Sequence, residues 1–354
     1  MSIAQDLISK METAKRLAVT ESKLPPCCLQ IHPANTSVVY LGTYKLEKPS
    51  GLRHGSIETY DIVDGQFTLR SETKTELAIL DLKFNPSDQR CLVLAHSTGI
   101  VKIWDVSADT YDLTLKQEYS ITENDILVTS VFFNPLNCNE LLCTLTSGEA
   151  LILDLTKGDY ETFDATHDLE CWTGGFGQIG PCGNIVFTGG DDSKLIAHDS
   201  RTKEKVWATN HRHHDAGVVL ILCPNESWLN FRPNDLWTGS YDDCLRIFDV
   251  RHLDGDDGPY LYQSLLPTET YKQNLGGGVW RLIPSPDSDM VLACCMYDGA
   301  RIIKPGTSSF ECVRYFKGDH ESMCYGGDWK DPSSVITCSF YDNIIQQWLP
   351  TQTQ

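Results

Sequence analysis

Short stretches of alternating apolar and polar residues recur along the chain, each closing on an aromatic–Asp pair or a relic of one. They read Ile57-Glu58-Thr59-Tyr60-Asp61, Val101-Lys102-Ile103-Trp104-Asp105, Leu151-Ile152-Leu153-Asp154, Leu195-Ile196-Ala197-His198-Asp199 and Leu245-Arg246-Ile247-Phe248-Asp249. Weaker copies are Ala300-Arg301-Ile302-Ile303-Lys304 and Ile344-Ile345-Gln346-Gln347-Trp348-Leu349. A period of two predicts strands. Upstream lie apolar runs that end in a turn dipeptide, as in Leu80-Asp81-Leu82-Lys83-Phe84-Asn85-Pro86 and Val131-Phe132-Phe133-Asn134-Pro135. These predict a second strand type, each followed by a tight turn.

The seven copies end at positions 61, 105, 154, 199, 249, 304 and 349, at intervals of 44 to 55 residues. That period marks WD-type blades carrying loop insertions. The expected fold is therefore all-β: a seven-bladed WD-type β-propeller spanning 13–350. After Trp348 too few residues remain for the outer strand of blade seven. The N-terminus is expected to supply it, over 13–20, where Ala14, Leu17 and Val19 are apolar. Ile3, Leu7, Ile8 and Met11 stand near helical spacing, so 1–12 is read as a short helix or an amphipathic arm, and 351–354 as a tail.

Composition narrows the function. The 354 residues are 41% hydrophobic, enough for a sizeable core. Net charge is −19, against nucleic acid or an anionic membrane as partner and in favour of a cationic one. No apolar run approaches a membrane span, and Asp6 and Glu12 argue against a secretory signal. The 14 cysteines form no CxxC pair, which fits reduced thiols in a cytoplasmic chain rather than a zinc ribbon. There is no G-x-S-x-G elbow, P-loop or HExxH. Gly174-Gly175-Phe176-Gly177 lacks the strand-then-helix setting of a dinucleotide site and is read as a loop.

In this fold the loop entering each inner strand and the turn between the second and third strands share one face. On that mapping His, Asp, Gly and aromatic residues gather on blades four to seven. Entry loops carry Trp172, His211-Arg212-His213-His214-Asp215, Gly276-Gly277-Gly278-Val279-Trp280-Arg281 and His320-Glu321-Ser322. Turns carry Asp191-Asp192, Tyr241-Asp242-Asp243, Tyr297-Asp298 and Tyr341-Asp342. Asp in such turns and His in such loops also serve as structural ties. The loop histidines lack a fixed ligand spacing, so no metal is expected. Consecutive glycines either expose N–H groups toward an anion or simply make a tight loop.

Six motifs in order go beyond a generic propeller: Gly189-Gly190-Asp191-Asp192, His214-x-x-Gly217-Val218, Thr238-Gly239-Ser240-Tyr241-Asp242, Gly276-Gly277-Gly278-Val279-Trp280-Arg281, Tyr325-Gly326-Gly327-Asp328-Trp329 and Cys338-Ser339-Phe340-Tyr341-Asp342. From about residue 170 to 348 the chain resembles the WD-repeat diphthine methyl ester esterases of diphthamide biosynthesis, a family also catalogued as methyltransferases. Blades one to three match only the generic repeat. The resemblance implies hydrolysis of the methyl ester of methylated diphthine on elongation factor 2, giving methanol and a carboxylate ready for amidation. No cofactor is expected, and since a closed propeller buries its core without a partner, the chain is expected to be a monomer, in the cytoplasm.

Within that reading the trimethylammonium group of the substrate favours aromatic faces and carboxylates. Trp172, Tyr241, Trp280, Tyr297 and Tyr341, with Asp191, Asp242 and Asp342, are the residues expected to meet it. His214 and His320 are expected as bases, Ser322 as a nucleophile, and the N–H groups of Gly276, Gly277 and Gly278, with Arg281, as oxyanion donors. One departure stands out: family members can carry His in the blade-six turn where this chain has Tyr297. The competing reading is a non-catalytic scaffold, the commoner role of WD repeats.

Overall fold

The computed structural model describes residues 12–251 and 266–350. Seven antiparallel sheets follow one another along the chain, each a four-stranded meander, two of them with an added strand. The fold is the expected all-β, seven-bladed propeller. The chain divides into two compact units. One holds blades one and two, nearly all of blade six, and blade seven; the other runs from Thr129 to Trp280, with Gly306–Ser309, and holds blades three to five.

The recurring Asp has a local cause. Asp154, Asp199 and Asp249 each close the third strand of a blade, and each accepts the N–H two residues on, from Thr156, Arg201 and Arg251 at 2.8, 2.8 and 3.0 Å. That bond starts the turn to the outer strand. Asn85 and Asn134 do the same after the inner strand, for Ser87 and Leu136. Because the sheets stack face to face, second strands are buried on both sides and read as unbroken apolar runs, such as Leu92–Ala95.

Core clusters form between successive blades. In the first unit Tyr40, Ile79, Leu82 and Trp104 join blades one and two, and Phe316, Trp329 and Trp348 join six and seven. Phe316 and Trp348 stack with ring centroids 4.6 Å apart. In the second unit Phe187, Trp207, Ile221 and Phe248 join blades four and five.

The outer strand of blade seven is Lys15–Glu21, paired antiparallel with Ile344–Leu349 from Lys15↔Leu349 to Glu21↔Ile344. Ser22 N–H then bonds the Asn343 carbonyl at 2.8 Å. Glu12–Thr13 adds in parallel to Phe310–Phe316 on blade six, a pairing the periodicity did not announce. The expected N-terminal helix and the tail at 351–354 lie outside the described residues. One expectation is corrected: Gly174 and Gly175 sit in the inner strand Cys171–Phe176 rather than in a loop. A Cβ on Gly174 would stand 2.6 Å from Leu142 Cδ2, so glycine lets blade four approach blade three.

Candidate active site

Three histidines stand four residues before an inner strand: His167 before Cys171, His214 before Val218 and His320 before Cys324. In blade seven, Trp348 Nε1–H donates to Thr337 Oγ1 at 3.1 Å, and Thr337 Oγ1 lies 2.8 Å from His320 Nε2. His320 Nδ1 lies 2.6 Å from Ser339 Oγ, which donates to Asp342 at 2.6 Å. The donors fix the proton order: Thr337 O–H points at Nε2, and Nδ1–H points at Ser339. Burial pushes His320 down to about 4, so the ring is neutral at neutral pH with both nitrogens occupied. It has no lone pair left for a water.

Blade four repeats this device with His167, which bonds Asp192 at 2.8 Å and Thr188 at 3.0 Å. Burial alone would raise Asp192, but bonds from His167, Asp168 N–H and Lys194 N–H outweigh it and hold the carboxyl at about 2. His167 escaped the sequence reading. Its position four residues before a strand, shared with His214 and His320, was the available signal.

In blade five, His214 Nε2 meets Thr238 Oγ1 at 2.9 Å, and burial lowers the ring to about 3. Asp242 turns away from it and is gripped by buried Arg246, at 2.9 Å from Nη1 and 2.6 Å from Nη2. Asp242 also accepts the N–H groups of Asp215 and Cys244, both at 3.0 Å. The two histidines expected as bases are thus buried parts of the blade frame. Ser322 is no partner of His320: its Oγ accepts the Tyr341 N–H at 2.9 Å.

The structure does bring four of the expected residues together, on the second unit. Trp172 and Trp280 have ring centroids 6.2 Å apart at 58°, and Tyr241 and Trp280 5.8 Å apart at 41°. All three are half-buried, so they form adjacent walls of an open cup. Trp172 Nε1–H donates to Asp191 Oδ1 at 3.3 Å, and the other Asp191 oxygen makes no hydrogen bond or ion pair among the described residues. Gly217 is the floor. A Cβ there would stand 2.7 Å from Asp191 Oδ1 and 3.1 Å from Tyr241 Cδ2.

The glycine loop arches beside this cup. Leu275 N–H is tied to the Asp243 carbonyl at 2.8 Å and Val279 N–H to the Ser240 carbonyl at 3.0 Å, so both loop ends are pinned to the turn that carries Tyr241. Gly276 adopts φ of 89° and donates to Asn274 Oδ1 at 2.8 Å. Gly277 and Gly278 are buried, and neither N–H donates a hydrogen bond among the described residues. Buried N–H groups rarely stay unpaired. These two are the donors of the loop with capacity left for a ligand oxygen.

Four expected residues go elsewhere. Arg281 Nη2 donates to buried Asp81 at 3.0 Å in the first unit, where it lines a chamber of about 40 Å³ with Lys83 and Asp328. Tyr297, 61% exposed, projects from the blade-six turn, and Tyr341, 71% exposed, packs edge-on against Phe340 at 4.9 Å. Asp342 spends its oxygens on Ser339 and on the N–H groups of Glu321 and Ser322. A cleft of about 890 Å³ in the first unit, lined by Gln30, His32, Arg90, Asp328 and Lys330 among others, contains none of the expected residues. Its half-buried acid, Asp328, is pushed up to about 6 by desolvation, although the N–H groups of Ile31 and Trp329 hold its oxygens.

No family model matches the chain. It is 38% identical to a curated protein of Saccharomyces cerevisiae named diphthine methyltransferase, over 94% of this chain and 97% of that one. A protein of the same name in Schizosaccharomyces pombe is 32% identical, over 88% and 90%. A homologue from Dictyostelium discoideum is 26% identical, over 91% and 95%. Among solved structures, a chain of the mitotic checkpoint complex matches with TM-score 0.70 at 16% identity, over 95% of this chain and 91% of that one. The Cps50 (Swd1) propeller of Myceliophthora thermophila also matches with TM-score 0.70, at 14% identity over 96% and 100%. At such identities these two likenesses bear on the fold alone.

Proposed function

Because the chain belongs to the diphthine methyltransferase family, and so is an enzyme of diphthamide biosynthesis, we propose that it hydrolyses the methyl ester of methylated diphthine on elongation factor 2. The observation that carries this reading is the cup of Trp172, Tyr241 and Trp280 with Asp191, set beside the two unpaired glycine N–H groups. The substrate side chain carries a trimethylammonium group and a methyl ester. Aromatic faces attract a quaternary cation through their quadrupole, and a carboxylate adds direct attraction. The cup therefore binds the ammonium group. The ester carbonyl lies toward Gly277 and Gly278, whose N–H groups hold the oxygen as it becomes an oxyanion.

A water attacks the carbonyl carbon, and the unpaired oxygen of Asp191 accepts its proton. Collapse of the tetrahedral intermediate breaks the C–O bond to the methoxy group. Methoxide takes the proton back from Asp191 and leaves as methanol, and the carboxylic acid left on the side chain then loses its own proton to solvent and becomes the carboxylate. A nearby ammonium group withdraws electrons from the ester and lowers the demand on the base. An enzyme for such an ester can work without the Ser-His-Asp arrangement, and His214 and His320 are free to serve the frame. No cofactor enters this scheme. The partner is the modified elongation factor in the cytoplasm, and the −19 charge favours its cationic side chain over wrong partners.

The family name points to a second reading, methyl transfer. Mass spectrometry of elongation factor 2 carrying the methylated intermediate separates the two. Incubation with the purified protein and no cofactor is expected to remove one ester methyl, release methanol and retain the trimethylammonium group. Addition of a methyl group, only when S-adenosylmethionine is supplied, would decide for transfer and against hydrolysis.

A further inference from the structure

We infer that the cup sorts two charge states of one side chain: it retains the cationic ester and expels the zwitterionic acid that hydrolysis leaves behind. The inference rests on the hydrolase reading and adds to it a mechanism of product release. Hydrolysis turns a ligand of charge +1 into one of net charge zero, by creating a carboxylate next to the ammonium group. The cup meets that new charge with one of its own, because one Asp191 oxygen makes no hydrogen bond or ion pair among the described residues. Gly217 leaves room beside the other Asp191 oxygen, the one that accepts from Trp172. Any side chain at 217 would intrude between Asp191 and Tyr241.

Four cations of blades four and five, Lys194, Arg246, Lys272 and Arg212, offer the acid little compensation. Lys194 is paired with Asp168 and Asp192. Arg246 is buried against Asp242 and Glu269, and Lys272 is paired with Asp215. Arg212 stands exposed at the tip of its loop, where solvent screens it. The indole N–H of Trp172 is already given to Asp191, so it cannot serve a carboxylate of the product. The glycine N–H groups remain available to that carboxylate, and their pull on the anion opposes the repulsion from Asp191. The balance is a fixed negative charge against a newly formed one, in a half-open site where Coulomb terms are only partly screened.

Two small probes isolate the charge: tetramethylammonium, and glycine betaine, which adds one carboxylate to the same cation. Both are titrated into the intact protein at constant ionic strength, and the fluorescence of Trp172 and Trp280 is followed. Tetramethylammonium is expected to saturate the signal, with glycine betaine at least about tenfold weaker, or ~1.4 kcal/mol. Asp191→Asn keeps the acceptor for Trp172 and is expected to shrink the gap below about threefold. Trp172→Ala is expected to abolish the saturable signal, and urea unfolding midpoints verify that both variants are folded. Equal affinities for the two probes, no saturable binding of either, or a gap untouched by Asp191→Asn each overturns the inference. The ester assay on elongation factor 2 keeps the two claims apart. A charge-selective cup with an untouched ester sinks hydrolysis and with it the product-release role, leaving only the charge selection, while ester cleavage without charge selection sinks only this inference.

Discussion

In blade seven the turn bearing Tyr341 is held by a histidine chain, while in blade five the matching turn bearing Tyr241 is held by an arginine. Blade seven runs one uninterrupted path of bonds from Trp348 through Thr337, His320 and Ser339 to Asp342. Blade five has Phe248 where blade seven has Trp348, and Ser240 bonds the Ala216 carbonyl instead of a histidine. Its Asp242 is taken by Arg246, and His214 Nδ1 is left buried without a hydrogen bond. The tyrosines end differently too. Tyr341 is open to solvent against Phe340, whereas Tyr241 lies against Trp280 with Gly217 beneath it. Similar residue strings, His then Ser-Tyr-Asp in blade five and His then Ser-x-Tyr-Asp in blade seven, thus do frame work in both blades. The chemistry belongs to what the turn presses against.

The most severe way to disturb this contrast is Arg246→Met. It leaves Asp242 buried without its cation and is expected to cost roughly 3–5 kcal/mol in urea unfolding. A much smaller loss would mean that the arginine does not hold the blade-five turn. His320→Ala strands Thr337 and Ser339 and is expected to cost about 2–3 kcal/mol. Ester hydrolysis per folded molecule should persist. Loss of turnover at an unchanged unfolding midpoint would return His320 to catalysis.

Acid titration sharpens the same point. His96, His198 and His214 are held near 3 and His320 near 4, each chiefly by burial. Depressed folded values leave these rings neutral while the unfolded chain takes up protons. The stability they permit is full above about pH 6.5 and falls as pH drops, until the folded rings protonate too. Each contributes a slope of roughly 1.4 kcal/mol per pH unit between about pH 6 and 4.5. Unfolding free energies measured across that window should therefore decline, and His320→Gln should flatten the slope by one proton. An unchanged slope in that variant would show His320 protonated in the fold.

Trp172→Ala removes one wall of the cup, and kcat/KM for the ester is expected to drop about tenfold, within the range of a partly desolvated cation–π contact. Tyr341→Ala should leave kcat/KM alone. If the two variants behave alike, the cup is not the substrate site. The smallest effect is expected for Ser322→Ala, about 0.5 kcal/mol or less in stability with no change in turnover. An inactive but folded Ser322→Ala protein would reinstate the serine as nucleophile.

The blade frame could be read from the chain because its rules are local. A strand of period two, an Asp or Asn that bonds two residues ahead, and a return at 44 to 55 residues need no knowledge of distant partners. The outer strand of blade seven was legible by subtraction, since seven third strands left one sheet short of a partner. The His–Asp ties were half legible. The recurring offset of four residues was present at 167, 214 and 320, yet residue type alone suggested bases.

Among the expected ligand residues, Trp172, Tyr241 and Trp280 could not be told from Tyr297 and Tyr341, and Asp191 not from Asp242 and Asp342. All sit at equivalent loop and turn positions, so periodicity ranks them equally. The folded structure decided among them through three contacts, two between residues three or four apart and one across 200 positions. Arg246 claimed Asp242, Ser339 claimed Asp342, and Asp81 claimed Arg281. The sequence by itself determined the number of blades, their turns and the loops on which polar chemistry stands, because backbone geometry and burial repeat with the chain. Only the tertiary structure decided which carboxylate keeps an oxygen free and which rings share a wall, because a buried charge takes the partner that packing brings within reach.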